Sequence, residues 1–391
     1  MFNMVIYLLF LYLLFVNFWE IKPIGYFSED VQLILIVSYL LFGCFIYRKR
    51  PRIRMKGKYN YLKWIFIGIL LSMISAYIFY GQPITQSIIT YRTQYLIFTI
   101  PALFVISPRI EDIIRSLFIF SFFLLGANLL VKLNHNLFVM SEYKLDYIAK
   151  VGNYDSLTRV AGIEYITIPL FYYLQRIKEK FTAETFVKVL FLLFVVFIVQ
   201  NRSTLFPAIL FSLYTFIFIK SKYKPLIWIA ISIIGVVFII HYHDVFATIF
   251  EETAKELGDQ DYNRNKAWNY FIYMYSPHWL CYILGNGFLS AHYSPIMQLL
   301  MEEGIYNSDV GFIGYWNQFG VIPVITIFTM YLSVLKGKNS YPFLMKLIVI
   351  YSIICGLTII YYGQDVKILH LALFYYLFYY FKKNKPKVSK I

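Results

Sequence analysis

Long apolar runs separated by short polar connections make up most of this chain. The runs fall at roughly 1–19, 31–47, 60–79, 94–107, 116–132, 163–177, 185–200, 204–220, 225–241, 310–335, 345–362 and 368–381. None shows the two-residue alternation of a half-buried strand. Continuous apolar runs of this length predict helices, because a helix satisfies its own backbone where water is absent. At roughly 20 residues per crossing, the expected fold is all-α: a polytopic membrane helical bundle of about 12 transmembrane helices, formed by residues 1–391 as a single integral membrane domain.

Two connections are longer than the rest, 133–164 and 242–309. The second is expected to be a large outer loop with helices of its own. Residues 244–257 place Phe246, Ile249, Phe250, Ala254 and Leu257 on one helical face, and Gly258 follows as a stop, which predicts an amphipathic helix. A second helix is expected over 264–275, ended by Ser276-Pro277. A third is expected from Ser294-Pro295, a cap followed by a first-turn proline, to Gly304. Ser308 is placed to cap the next span, with Asp309 in its first turn.

Composition agrees with the pattern: 60% of residues are hydrophobic and 15% charged, which excludes an ordinary soluble domain. The net charge of +15 raises nucleic acid as a partner, but the placement of the charges argues against it. With the N-terminus in the cytoplasm, about 25 of the 36 basic residues fall on the inner side and about 17 of the 21 acidic ones on the outer side. The basic clusters are therefore topology signals that meet membrane lipids, with both termini cytoplasmic in a bacterial plasma membrane and no nucleic acid bound. The first run lacks a basic leader and a small-residue cleavage site, so it reads as a retained span. Cys44, Cys281 and Cys355 are too scattered for a disulfide framework or a thiolate metal site, and no HExxH pattern is present, so neither metal nor other cofactor is expected.

Candidate chemistry gathers on the outer side. Arg92, Arg159, Arg202 and Arg264 border that face, and guanidinium groups grip phosphate oxygens two at a time and stay charged when desolvated. Each has a second reading, as an interfacial anchor or a carboxylate partner. His292 is the candidate acid, base or hydrogen-bond donor of the loop. Asp309, at a helix N-terminus that favours its ionised form, and Glu164, just after Arg159 and Gly162, are candidate bases or arginine partners. Trp268 and Tyr275 are candidate platforms for sugar rings. Asn317 and Gln318 are expected to line the outward half of a cavity, and Gly311, Gly314 and Gly320 to permit close helix packing.

These residues carry a family resemblance. Arg264-Asn265-Lys266-Ala267-Trp268 followed by Leu284-Gly285-Asn286-Gly287-Phe288 resembles the Arg-x-x-x-Trp and Gly-x-Gly elements in the large outer loop of the O-antigen ligase and polymerase superfamily. Ser308-Asp309-Val310-Gly311-Phe312-Ile313-Gly314, with Gly320-Val321-Ile322, looks like the segment entering the next span in Wzy-type polysaccharide polymerases. Asn201-Arg202-Ser203 is similar to their Ser-Arg step, with Asn in place of the first Ser, and Arg159-Val160-Ala161-Gly162 resembles an Arg-x-x-Gly opening. The motifs cover short stretches, whereas the span layout covers the whole chain. Ligases favour a His-rich or His-Asn stretch after the turn. Here His292 is followed by Tyr293, which turns the resemblance toward the polymerases.

The resemblance implies a metal-independent glycosyltransferase acting on undecaprenyl-diphosphate-linked oligosaccharides, and a chain-length regulator as a further partner. It implies that Arg264 and Arg202, with Arg159 and Arg92, bind the diphosphate, and that His292, Asp309 or Glu164 serves the acceptor hydroxyl. An O-antigen ligase is one alternative. A lipid-linked oligosaccharide flippase is another, although flippases commonly consist of related halves and this chain shows none.

Overall fold

The computed structural model describes residues 3–22, 27–48, 57, 59–138, 160–199, 201–219, 221, 223–225, 228, 229, 232, 263–273, 276–290, 292–303, 305, 310–337, 341–357 and 365–383. Among them the chain is helical, with no strand beyond one isolated bridge between Ile21 and Phe138. The first half contains α1 (Met4–Phe15), α2 (Glu29–Ile46), α3 (Asn60–Tyr80), α4 (Ile84–Thr90), α5 (Thr99–Ile106) and α6 (Ile110–Leu133). The second contains α7 (Ile163–Glu179), α8 (Ala183–Val199), α9 (Arg202–Ile217), α10 (Asn263–Tyr273), α11 (Leu280–Leu284), α12 (Pro295–Glu302), α13 (Gly311–Phe319), α14 (Val321–Lys336), α15 (Phe343–Gly356) and α16 (Asp365–Lys383).

Local sequence sets the helix ends. The Asn3 side chain accepts the Val5 amide at 3.0 Å and starts α1. Ser28 starts α2, and Glu29 and Asp30 follow in a first turn whose free amides favour negative charge. α3 stops at Gly81, which takes the left-handed conformation of a C-terminal cap. After α1 the backbone makes an unusual turn: Asn17, Phe18, Trp19 and Glu20 all have positive φ, a conformation costing roughly 1–2 kcal/mol per residue for side chains other than glycine. Tertiary bonds hold it there. Asn17 Nδ2 donates to the Phe27 carbonyl at 2.8 Å and Trp19 Nε1 to the Ala161 carbonyl at 2.9 Å.

Among the described residues α2, α3 and α6 are long and apolar enough to cross a membrane, and the segment from α4 to α5, bent by 67°, is either a broken fourth span or a re-entrant loop. α1, α14, α15 and most of α9 are apolar but shorter. The outer helices present greasy faces, with Ile34, Leu41 and Phe45 on α2, Leu70 and Ile78 on α3, and Phe206 on α9 all exposed. Apolar side chains in such number facing outward suit hydrocarbon, not water. The expected run at 310–335 is two helices that break at Gly320. The run at 94–107 begins as a 3-10 segment, Arg92–Phe98. The expected span at 225–241, apart from residues 225, 228, 229 and 232, and the amphipathic helix at 244–257 lie outside the described residues. The loop helices at 264–275 and from Ser294-Pro295 correspond to α10 and α12, the latter capped by the Ser294 hydroxyl on the Met297 amide at 3.3 Å.

α16 is the axis of the bundle. Every residue from Lys367 to Tyr379 is buried, as expected of a helix surrounded on all sides. At one end of the molecule its tyrosines tie down connections: Tyr379 donates to the Gly57 carbonyl at 2.8 Å and Tyr376 to the Pro108 carbonyl at 2.7 Å. The Leu344 amide bonds Gln175 Oε1 at 2.9 Å, bringing the end of α7 and the start of α15 together. At the opposite end the first turns of α7, α9, α13 and α16 meet the last turn of α15. The candidate residues lie on that end.

Candidate functional site

The contacts of α15 define this junction. The Cys355 thiol donates to the Ser203 carbonyl at 3.2 Å, one residue into α9 from Arg202. Tyr351, one turn earlier, shares a hydrogen bond with the Thr204 hydroxyl at 2.9 Å. Gly311 packs so tightly on the Gly356 carbonyl that a Cβ at Gly311 would collide with it, so the first turn of α13 sits on the last of α15. Glu164, in the first turn of α7, lies within electrostatic reach of both Tyr351 and Cys355. Lys367 acts on Cys355 from α16. His370, one turn further on, is fully buried with its ring centroid 6.1 Å from that of Tyr351. α10 joins along α13: Asn317 Nδ2 donates to the Phe271 carbonyl at 3.3 Å, and Ala267 and Phe271 share a buried cluster with Val310.

A helix N-terminus exposes unpaired amides and carries partial positive charge. Several such ends meeting beside lysine and glutamate side chains make a strongly polar spot in an otherwise apolar bundle. Helix N-termini in general suit anions, and a carboxylate in general can accept a proton.

The Gly285-Asn286-Gly287 turn has a different character. It threads between α3, α4 and the break separating α13 from α14. The Asn286 amide donates to the Asn317 carbonyl at 2.8 Å and the Gly287 amide to the Gln318 carbonyl at 2.9 Å, capturing two carbonyls freed at the end of α13. The Asn286 side chain is fully buried, accepting from Tyr80 at 2.7 Å and donating to Ser276 at 3.1 Å and the Asn317 carbonyl at 3.2 Å. Gly285 and Gly320 both have positive φ, and a Cβ on either would strike the backbone of the other segment. Gln82 and Thr90 close the far side on the Phe288 carbonyl, each at 3.0 Å. The turn is a clasp made of neutral groups. Cys281, beside it, is buried, which pushes its thiol up from the ordinary value and leaves it a weak nucleophile.

The predicted residues divide. Arg202 opens α9 and Glu164 sits in the first turn of α7, so the junction brings these two positions together. Arg264 lies in the first turn of α10, the loop helix packed along α13. The side chains of Arg202 and Arg264 lie outside the described residues, as do Arg159, Tyr275 and Asp309 altogether. Arg92 has its own partners: its guanidinium pairs with Glu29 at 2.6 Å and Asp30 at 3.1 Å, tying the start of the 3-10 segment to α2. It behaves as the carboxylate-paired anchor of its alternative reading. His292 is exposed in the turn before α12, its ring edge-on to Tyr293 at 4.9 Å. Trp268 is half-buried against the cluster of Ala76, Phe271, Leu289 and Leu300. Asn317 and Gln318 are buried, and their carbonyls serve the clasp.

Lys367, His370 and Tyr351 are members of the junction that the sequence reading missed. The apolar run begins at 368, so Lys367 stands just outside it. An ionisable residue in a buried helix was the available signal, and His370 stood inside the run. No family model matches this chain, and no curated protein matches it.

Proposed function

We propose that this chain is a membrane glycosyltransferase of the polysaccharide-polymerase type. It joins undecaprenyl-diphosphate-linked oligosaccharide repeats into O-antigen, capsule or exopolysaccharide on the outer face of a bacterial plasma membrane. The observation that carries this reading is the junction itself. The openings of α9, α13 and α16 and the Glu164 carboxylate meet at one end of an apolar helical body, beside the last turn of α15. A reaction whose leaving group is a lipid diphosphate needs cationic groups and a proton acceptor gathered where lipid and solvent meet. The basic connections at the opposite end support an orientation with that end, and both termini, in the cytoplasm. About twelve spans complete this reading.

In this mechanism the acceptor sugar hydroxyl attacks the anomeric carbon of the donor glycan. The bond from that carbon to the diphosphate oxygen breaks, undecaprenyl diphosphate leaves, and the hydroxyl proton passes to a carboxylate. Arg202 and Arg264, with Arg159, hold the negative charge that grows on the leaving oxygen. Glu164 or Asp309 accepts the proton, with His292 the candidate reaching in from the loop. Trp268 and Tyr275 offer faces to the sugars.

The test is reconstitution of purified protein with lipid-linked repeats in liposomes. Long glycan is the expected product, and its absence from folded, correctly inserted protein overturns the reading. In a deletion strain, surface glycan reduced to single repeats is the expected outcome. Loss of all attached glycan with lipid-linked polymer retained indicates a ligase instead, and repeats trapped on the inner leaflet indicate a flippase.

A further inference from the structure

We infer that residues 276–290 form a re-entrant segment that dips into the bilayer beside α3, and that its exposed face, Trp279 and Ile283, docks on the acyl chains of the leaflet at the Tyr80 end. The inference needs only the membrane class of the protein, not the proposed glycosyl transfer. The path of the chain carries it. His278 stacks on Phe79, in the last turn of α3, with ring centroids 5.1 Å apart. Cys281 lies one turn deeper, where the Ser75 hydroxyl donates to its sulfur at 3.9 Å. Gly287 reaches further, so close to α3 that an added Cβ would stand 2.8 Å from the Ser72 carbonyl and 3.0 Å from the Ala76 Cβ. Ser290 is back at the helix end, its amide bonding Gln82 Oε1 at 2.8 Å. The segment thus enters and leaves at one end of α3. Ser72 stands eight residues before Tyr80, roughly 12 Å along a helix rising about 1.5 Å per residue. The hydrocarbon layer that α3 is long enough to cross is about 30 Å thick, so the turn reaches well inside it.

Sequence and bonding both fit hydrocarbon there. No Asp, Glu, Lys or Arg occurs between Lys266 and Glu302, although the loop around that stretch is the longest connection of the chain. Non-helical backbone at membrane depth persists only where the protein itself bonds the amides and carbonyls. The Gly285 amide donates to the Cys281 carbonyl at 2.8 Å, and the Asn286 and Gly287 amides go to the Asn317 and Gln318 carbonyls. The Phe288 amide donates to the Tyr91 hydroxyl at 3.1 Å, and its carbonyl accepts from both Gln82 and Thr90. Tyr91, at the bend that follows α4, lies at the same depth, its hydroxyl 2.6 Å from that of Ser72. A turn in water needs no such provision, since solvent serves the same groups. The outward side is apolar instead: Trp279 is 63% exposed and Ile283, four residues on, 41%. They continue the greasy face of α3, where Ile74, Tyr77 and Ile78 are exposed beside the contacts of Ser75 and Phe79 with this segment. A tryptophan at the border of chains and headgroups satisfies both its ring and its N–H.

The test uses the full chain in phospholipid nanodiscs, with and without bromine on the acyl chains, and no substrate. The chain has six tryptophans, so the signal is the emission that Trp279→Phe removes, which isolates one ring. In bromolipid that signal is expected to fall at least about twofold, because the ring touches the chains that carry the quencher. Iodide dissolved in the water is expected to lower it less. An unchanged signal in bromolipid, or stronger quenching by iodide, overturns the inference and returns the segment to the aqueous loop. A second measurement does not depend on fluorescence. With Ile283 replaced by p-benzoylphenylalanine, photolysis is expected to give phospholipid adducts, as the same replacement at Leu70, exposed on α3, does. Adducts to another peptide of this chain, or to a second copy, with Leu70 still labelling lipid, overturn the inference, since protein then covers this face. No substrate enters either measurement, so a failure of the proposed polymerase in reconstitution leaves this inference standing, and its own failure leaves the polymerase reading untouched.

Discussion

The clasp around Asn286 and the junction around Cys355 both hold buried polar groups in an apolar body, but they do so by different means. In the clasp, neutral donors and acceptors are matched: Asn286 alone engages Tyr80, Ser276 and, through both its backbone and side-chain amides, the Asn317 carbonyl. In the junction, Glu164 lies within electrostatic reach of Cys355 and Tyr351, and Lys367 within reach of Cys355, from helices that begin there. Matched neutral networks fix a backbone. Ionisable groups at helix openings are set by electrostatics and less by matched bonds. The glycine-rich turn that catches the eye in the sequence is thus held by matched neutral bonds, whereas the ends of α7, α9 and α16 bring ionisable side chains into the body.

Substitutions can break this contrast in graded ways. The largest effect is expected from Arg202→Ala or Arg264→Ala, which should slow glycan synthesis by about 10²–10³-fold with little change in melting temperature. Equal polymer length and rate in both variants would remove the arginines from the mechanism. Next is Asn286→Ala. Leaving Tyr80 and Ser276 without their partner should destabilise the protein by about 1–3 kcal/mol, read as a lower melting temperature, while activity per folded molecule stays near the parent's. A selective loss of turnover there would move the clasp into the active machinery. Arg92→Ala, which removes partly exposed ion pairs to Glu29 and Asp30, should cost about 0–1 kcal/mol and leave diphosphate binding alone. Weakened binding would return Arg92 to the substrate site. The smallest effect is expected at Cys281. Its raised thiol should resist alkylation of the native protein at neutral pH and react only on unfolding, as mass spectrometry of labelled peptides would show.

Helix positions were largely legible in the sequence because they depend on local signals. The run at 60–79 corresponds to α3, and the Ser294-Pro295 cap starts α12. The break at Gly320 was not legible, since what makes it possible is a clasp from residues 285–287, far back along the chain. The partners of Arg92 were hidden for the same reason: Glu29 and Asp30 reach it from another helix. At the site, Arg202, Arg264 and Glu164 stood out as outward ionisable groups beside apolar runs. Lys367 did not, because hydropathy alone sets the edge of a run and a lysine at that edge looks like a solvated neighbour. Only packing reveals that the helix around it is enclosed.

The enclosure of α16 bears on biogenesis. The segment at 365–383 is synthesised after the helices that pack around it, so their packing can be completed only once this segment is in place. The tyrosine tethers to the 57 and 108 connections then act as latches that close the barrel from the side opposite the junction.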